Sequence, residues 1–244
     1  AVQTAPVLEQ ELRMERGTQF HRLVQQWVAG IPAEKLAQRI SDPYLRDWWE
    51  TFLREQPLKP FPGKAKAEMT LTAPFMGYRM LAKMDILVAN PGKTLTIFDW
   101  KTSDKRPRSA TLRAKVQTRL YPMMAVLAGA HLNQRTPWRA EQVSMHYWFV
   151  QHPAEAEVLE YNDTRFESDK NYLEGLIEEI LWNAEDDTFA MTKDAHKCRF
   201  CQYRSFCERG IEAGDLEEMD DADELDIDES ILNLDLEQIG EIAF

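Results

Sequence analysis

The sequence predicts an α/β protein, in which helices pack on a sheet built around one hairpin. Apolar residues recur at helical spacing on both sides of a central block, and that block alternates as strands do. Within it, residues 77–121 read GYRMLAKMDILVANPGKTLTIFDWKTSDKRPRSATLRAKVQTRLY. The apolar runs Met80 to Ala89 and Leu95 to Trp100 flank the turn Asn90-Pro91-Gly92-Lys93, which marks a β-hairpin. Each strand carries an acid where a core strand normally has none, Asp85 on the first and Asp99 on the second. Lys101 follows Asp99 by two residues, so both side chains leave the same face of an extended chain. Burying two acids and a lysine together requires compensation by one another or by a cation, and a divalent metal between Asp85 and Asp99 is the economical account.

The elements follow in chain order. Residues 8–29 place Leu12, Phe20, Leu23, Val24, Trp27 and Val28 at helical spacing, with Gly17 and His21 four apart on one face. Ile31-Pro32 ends this helix, and a helical insert occupies about residues 31–56. Its second segment, about 43–55, opens with Ser41-Asp42-Pro43 and carries the stripe Tyr44, Leu45, Trp48, Trp49, Phe52 and Leu53, which reads as core. Pro57, Pro60, Pro62 and Gly63 mark a loop. Residues 64–73 read as a strand leading into the hairpin, with Glu68 near its middle. A basic loop at 103–109 precedes a helix over about 109–129, whose expected buried stripe is Leu112, Val116, Leu120, Met123, Met124 and Leu127. Gln117 and Tyr121 lie at i and i+4 on that helix, and Pro122 is expected to kink it. Strands at 142–151 and 155–161 surround the His152-Pro153 turn. A helix over about 164–184 follows, with Phe166, Tyr172, Leu173, Leu176, Ile177, Ile180 and Leu181 expected to be buried.

Composition bounds the function. The chain has 244 residues, enough for one sizeable core. No apolar run approaches bilayer length and no signal peptide is visible, so a cytoplasmic protein without membrane association is expected. The formal net charge of −12 is uneven. Residues 211–244 hold 14 of the 41 acids and none of the 29 bases, which leaves residues 1–210 with 27 acids against 29 bases. Two basic clusters, Lys101 to Arg108 and Arg113/Lys115/Arg119, are suited to phosphate contacts. The expected division is a folded domain over 1–210 and a flexible acidic tail over 211–244. The end of that tail, 231–244, has the apolar spacing of a short docking helix; a charge-mimicking cover for the basic cleft is a further reading of it.

All three cysteines fall within ten residues, Cys198, Cys201 and Cys207, spaced C-x2-C-x5-C. Clustered thiols in a cytosolic chain indicate metal ligation. Zinc with His196 as fourth ligand is one reading, although H-x-C spacing is tight for a shared tetrahedral site. A [4Fe–4S] cluster, which takes four thiolates, is the other.

The pattern D-x13-D-x-K on paired strands, followed by Q-x-x-x-Y on the next helix and preceded by G-x-x-x-H on an early one, resembles the RecB-type PD-(D/E)XK nucleases. Met84 stands where the motif's name has proline. The resemblance implies a restriction-endonuclease-like core, a mixed β-sheet flanked by helices, over roughly residues 8–185. It assigns Mg²⁺ or Mn²⁺ binding to Asp85, Asp99, the Trp100 carbonyl and His21. Lys101 would orient the attacking water, Gln117 and Tyr121 would position the scissile strand, and Glu68 would reach the same cleft. The implied activity is metal-dependent hydrolysis of DNA, exonucleolytic on single-stranded or end-bearing substrates, in repair, recombination or defence. The three cysteines resemble those of an iron–sulfur branch that includes AddB-type and CRISPR-associated nucleases, whose fourth cysteine lies upstream of the early helix. A fourth cysteine is therefore expected before Ala1. The competing expectations are a catalytically idle nuclease-fold module that binds nucleic acid or docks a helicase, and a metal-stapled interaction domain.

Overall fold

A computed structural model describes residues 8–59, 63–185, 189–195, 198, 201 and 203–210. Helices α1 (Leu8–Val28), α2 (Ala33–Ala37) and α3 (Pro43–Glu55) precede a meander of β1 (Lys64–Phe75), β2 (Tyr78–Asn90) and β3 (Thr94–Lys101). Then come α4 (Ser109–Ala114), α5 (Val116–Ala128), β4 (Val143–Phe149), β5 (Glu157–Glu160) and α6 (Asp163–Glu185). The five strands form one sheet in sequence order. Only the β3–β4 pairing is parallel, because α4 and α5 form the crossover that a parallel pair requires. The result is the mixed sheet flanked by helices that the sequence predicts. Among the described residues, no helix is long and apolar enough to cross a membrane. The acidic tail, His196 and any residue upstream of Ala1 lie outside the described residues.

The sheet separates two cores. Helices α1 to α3 cover one face, where Phe20, Val24, Trp49 and Phe52 pack on Ile86, Val88, Phe98, Trp100 and Trp148. Each such fully buried apolar side chain contributes roughly 1.5–3 kcal/mol of transfer free energy. Asp42 caps α3, accepting from the Tyr44 and Leu45 N–H groups at 2.8 and 3.1 Å. On the opposite face α4 and α5 bury Leu112, Met124, Ala125 and Ala128 against Leu95, Ile97, Met145, Tyr147 and Phe149. Asp99 and Lys101 alternate with Phe98 and Trp100 on β3, so they project to the α5 face while the two aromatics fill the α1 side.

Two expectations about helices need correction. The single helix over 109–129 is two helices, because Lys115 takes an extended conformation (φ −60°, ψ 141°). Its N–H closes α4 on the Leu112 carbonyl, and its own carbonyl accepts the Arg119 N–H that starts α5. The break rotates the buried face: Val116 and Leu127 are exposed, and Thr118, Ala125 and Ala128 are buried in their place. Pro122 lies inside α5 without ending it. In α6, Leu173 is buried as expected, and Phe166, Leu176 and Ile177 pack partly. Tyr172, Ile180 and Leu181 are exposed instead, and the Tyr172 ring packs against the Arg119 guanidinium at 4.3 Å.

Candidate active site

The site lies where β2 and β3 separate. Their pairing runs from Asn90↔Thr94 to Ile86↔Phe98, and one further step of that register would set Asp85 opposite Asp99. There the ladder stops. The Trp100 N–H donates to Asp85 Oδ2 at 2.9 Å instead of to a backbone carbonyl, so a carboxylate replaces a rung of the sheet.

A local inversion of β1 and β2 prepares that gap. Before it, Ala82 and Met84 face the α5 core; after it, Leu87 and Ala89 do, while Ile86 and Val88 face α1. The alternation of β2 therefore slips by one position at Asp85. On β1, Met69 packs on the α5 core and Ala67 on the α1 core, so the slip recurs at Glu68. Glu68 has φ 54°, a left-handed conformation costly for a residue with a Cβ. Because both strands slip together, the β1–β2 register is the same on either side, Ala67↔Ile86 and Met69↔Met84. Asp85 is thereby turned edgewise into the gap.

Four further side chains converge on the pair. From α1, His21 Nδ1 stands 3.3 Å from Asp85 Oδ1. Gly17, one turn earlier, lets α1 approach the end of β3, since a Cβ there would stand 3.1 Å from Thr102 Oγ1. From β3, Lys101 Nζ lies 2.9 Å from Asp99 Oδ2. From α5, Gln117 Nε2 donates to Asp99 Oδ1 at 2.8 Å and to Tyr121 Oη at 3.2 Å, and Gln117 Oε1 lies 3.4 Å from Lys101 Nζ. The expected set of His21, Asp85, Asp99, Lys101, Gln117 and Tyr121 thus occupies one connected cluster. Trp100 joins it through the backbone. Its N–H faces Asp85, and in an extended residue N–H and C=O leave from the same edge. The Lys101 carbonyl accepts from Val150 on the β4 side, which agrees with the Trp100 carbonyl facing the gap. Glu68 stands level with Asp85 in the register, and its carboxylate pairs with Lys83 Nζ at 2.7 Å.

Asp99 and Lys101 are only 2 % and 5 % exposed, so their charges depend on each other. Burial disfavours the ionised form of Asp85, but the charge and hydrogen bond of His21 and the Trp100 N–H hold its pKa below the usual carboxylate range. Burial likewise works against protonated His21, yet the Asp85 charge and hydrogen bond, with Asp99 beyond, push its pKa up to about 9. Two carboxylates therefore face two cations. Tyr121 is held above its ordinary value by burial and by the Asp99 charge, so it remains a neutral phenol.

A second layer, not singled out by the sequence reading, supports Lys101. Tyr147 is level with Asp99 in the parallel β3–β4 register, and its ring lies 5.6 Å from Lys101 Nζ. The Thr118 hydroxyl donates to the Leu112 carbonyl at 2.5 Å and so accepts from the Tyr147 hydroxyl at 2.6 Å. A tyrosine on an alternating strand has no short-range signal of this role; only the parallel register supplies it.

Among the described residues, no three His, Cys, Asp or Glu side chains form a metal-binding group. The donors that meet at the β2–β3 gap are two carboxylates and the edge of a main-chain carbonyl. That all-oxygen set suits a hard divalent cation with water completing its shell. Among the cysteines, Cys198 is buried and Cys207 exposed. Arg209 Nη1 donates to Cys198 Sγ at 3.2 Å, and the Tyr203 N–H donates to Cys201 Sγ at 3.4 Å. The Cys198 thiol donates to the Asp194 carbonyl at 3.7 Å, and three sulfurs do not complete a four-thiolate cluster.

Among solved structures, the chain is similar to the crystal structure of SSO0001 (14 % identity, TM-score 0.37, covering 78 % of this chain and 83 % of that one). It is also similar to an Eubacterium rectale protein provisionally described as an exonuclease (14 % identity, TM-score 0.42). That alignment covers 67 % of this chain and 60 % of the other. No curated protein sequence matches the chain. The family model of the PD-(D/E)XK nuclease superfamily matches residues 2–208, which span the sheet, the carboxylate pair and all three cysteines. The chain belongs to the PD-(D/E)XK nuclease superfamily.

Proposed function

We propose that this chain is a divalent-metal-dependent deoxyribonuclease that hydrolyses phosphodiester bonds, acting on single-stranded or end-bearing DNA. The observation that carries the reading is the Asp85/Asp99/Lys101/Gln117 cluster: a buried carboxylate held by a lysine and a glutamine, opposite a second carboxylate that interrupts the sheet. Membership in a superfamily whose enzymes generally use divalent metals and act on nucleic acid supports it. Asp85, Asp99 and the Trp100 carbonyl would hold Mg²⁺ or Mn²⁺. When bound, the cation would supply Lewis-acid polarisation of the scissile phosphate and a more acidic water.

The protein's own residues supply position and charge. Lys101, fixed by Asp99, Gln117 and the Tyr147 ring, presents an ammonium that orients the attacking water and offsets charge developing on the phosphate. Gln117 keeps Asp99 in place with one amide hydrogen. Tyr121, a neutral phenol, remains a hydrogen-bond donor toward the strand. His21 orients Asp85 in this state; to become a ligand it would first release the proton that Asp85 stabilises. A [4Fe–4S] cluster on Cys198, Cys201, Cys207 and a fourth, upstream cysteine is proposed as a structural staple, on the C-x2-C-x5-C spacing and the resemblance to the iron–sulfur branch. Single-turnover cleavage of a labelled oligonucleotide with and without Mg²⁺ tests the activity, and an absence of metal-dependent product would refute it.

A further inference from the structure

The sequence pairs Arg113 with Arg119 in a basic cluster, and the fold joins a third arginine to them. Arg113 on α4, Arg119 on α5 and Arg165 on α6 line one cavity of about 330 Å³, together with Tyr161 and Asp169. Cavities of this size hold small ligands or a group projecting from a larger one. The pocket lies behind α5, away from the face that carries Gln117 and Tyr121. Its wall includes Thr118, which bonds to Tyr147 behind Lys101.

Arg119 is fixed in advance. Its Nη1 is 2.9 Å from Asp169 Oδ1, and its guanidinium lies 4.3 Å from the centre of the Tyr172 ring. Asp169 thus engages one edge of the guanidinium, while the buried Arg119 Nε makes no hydrogen bond. The Tyr161 hydroxyl, on a side chain that is 5 % exposed, faces the same Asp169 carboxylate. Leaving a buried donor unmade is costly, and Arg119 lines the cavity. Arg113 Nη2 forms a long ion pair with Glu157 Oε1 at 3.6 Å, beyond hydrogen-bonding distance, while Arg106 and Ser109 both engage the other oxygen, Oε2, at 2.8 Å each. The remaining acid of the lining, Glu160, is solvent-exposed. An unsatisfied guanidinium donor beside two further arginines matches a tetrahedral oxyanion.

We propose that the Arg113/Arg119/Arg165 cavity is a phosphate-binding site, and that it takes a backbone phosphate of the nucleic-acid strand whose cleavage is proposed above. The inference rests on that reading for its source of phosphate. A strand crossing α5, a helix about 10 Å across with its side chains, would be held on one side by the cavity and on the other by the carboxylate site. The pocket then sets where the strand lies relative to the cut.

Affinity for a single-stranded oligonucleotide, measured by fluorescence anisotropy in EDTA over a salt series, tests the proposal. Wild type is compared with Arg113→Ala/Arg165→Ala and with Arg165→Lys, and cleavage in Mg²⁺ is measured in parallel. Arg119 is left intact because its pairing with Asp169 ties α5 to α6. The double variant should bind at least fivefold more weakly and lose roughly 0.7 in salt-dependence slope for each phosphate contact removed. Arg165→Lys should keep most of that slope, which a purely structural role would not require. Thermal shift with inorganic phosphate alone is the second arm. Stabilisation of wild type that the double variant loses, with unchanged oligonucleotide affinity, would assign the site to free phosphate and overturn the strand assignment. Equal affinity, equal slope and no phosphate effect in a wild type that still cuts DNA would overturn the phosphate site and leave the nuclease reading intact. A wild type that neither binds nor cuts would overturn both.

Discussion

Asp99 shows how a single residue couples stability to chemistry. It is buried and faces Lys101 at 2.9 Å, so Asp99→Asn removes a proposed metal ligand and the nearest counter-charge of a buried ammonium. Breaking such a pair costs about 3–5 kcal/mol, and the expected result is a clear drop in Tm together with loss of cleavage. Lys101→Ala should reduce cleavage by roughly 10²–10³-fold, the usual cost of removing one preorganised donor, and a single-turnover rate measures it. Gly17 acts through shape. Alanine there needs Thr102 to yield by a few tenths of an ångström, whereas a β-branched side chain adds bulk at a 3.1 Å approach. Gly17→Val should therefore lower activity more than Gly17→Ala, with far-UV circular dichroism unchanged. Asp99 and Lys101 were legible because two-residue strand spacing is a local rule, and Gly17 through the resemblance of its G-x-x-x-H motif, since helix spacing alone puts it only on the face of His21. Tyr147 and Thr118 were not, since their relation to Lys101 exists only after a parallel strand has been placed beside β3.

At the scale of elements, the paired inversion in β1 and β2 is the feature that makes Asp85 available. Glu68 adopts φ 54° opposite it, so glycine should be better tolerated there than alanine, the reverse of the usual strand preference. The expected gap is about 1 kcal/mol in favour of Glu68→Gly over Glu68→Ala, read from urea unfolding of both variants, which equally lack the Lys83 ion pair. On β4, burial lowers the pKa of His146 to about 4. Above its ordinary value of 6.5 neither state is protonated. Between 6.5 and 4 the unfolded chain binds the proton first, so stability falls as pH falls through that window, and below 4 no further loss comes from this group. His146→Phe should flatten that part of the pH–stability curve relative to wild type, as denaturation midpoints at pH 7 and pH 5 would show. The strands and most helix limits were legible from periodicity. The break at Lys115 was not, because its extended backbone is stabilised by contacts on either side and not by a breaker residue. Nor was the exposed end of α6, because apolar spacing alone does not reveal where the neighbouring elements stop.

At the scale of the whole molecule, two halves of one sheet meet at a gap that contains the chemistry. One core, under α1 to α3, fixes His21 and Trp100; the other, under α4 and α5, fixes Lys101, Gln117 and Tyr121. The order of elements and the motif spacings made this architecture legible from the chain, but the convergence of three arginines behind α5 depends on how α4, α5 and α6 pack. If the cysteines hold an iron–sulfur cluster, protein with its upstream sequence purified without oxygen should be brown, and Cys201→Ser should lose that absorbance and several degrees of Tm. The most direct test of the central claim is cleavage of end-labelled single- and double-stranded DNA in Mg²⁺, Mn²⁺ or EDTA by wild type, Asp99→Ala and Lys101→Ala. Metal-dependent cutting by wild type, abolished in EDTA and in Asp99→Ala and reduced at least about a hundredfold in Lys101→Ala, is the predicted result. No cutting by folded wild-type protein in either metal, or full cutting by Asp99→Ala, would contradict it.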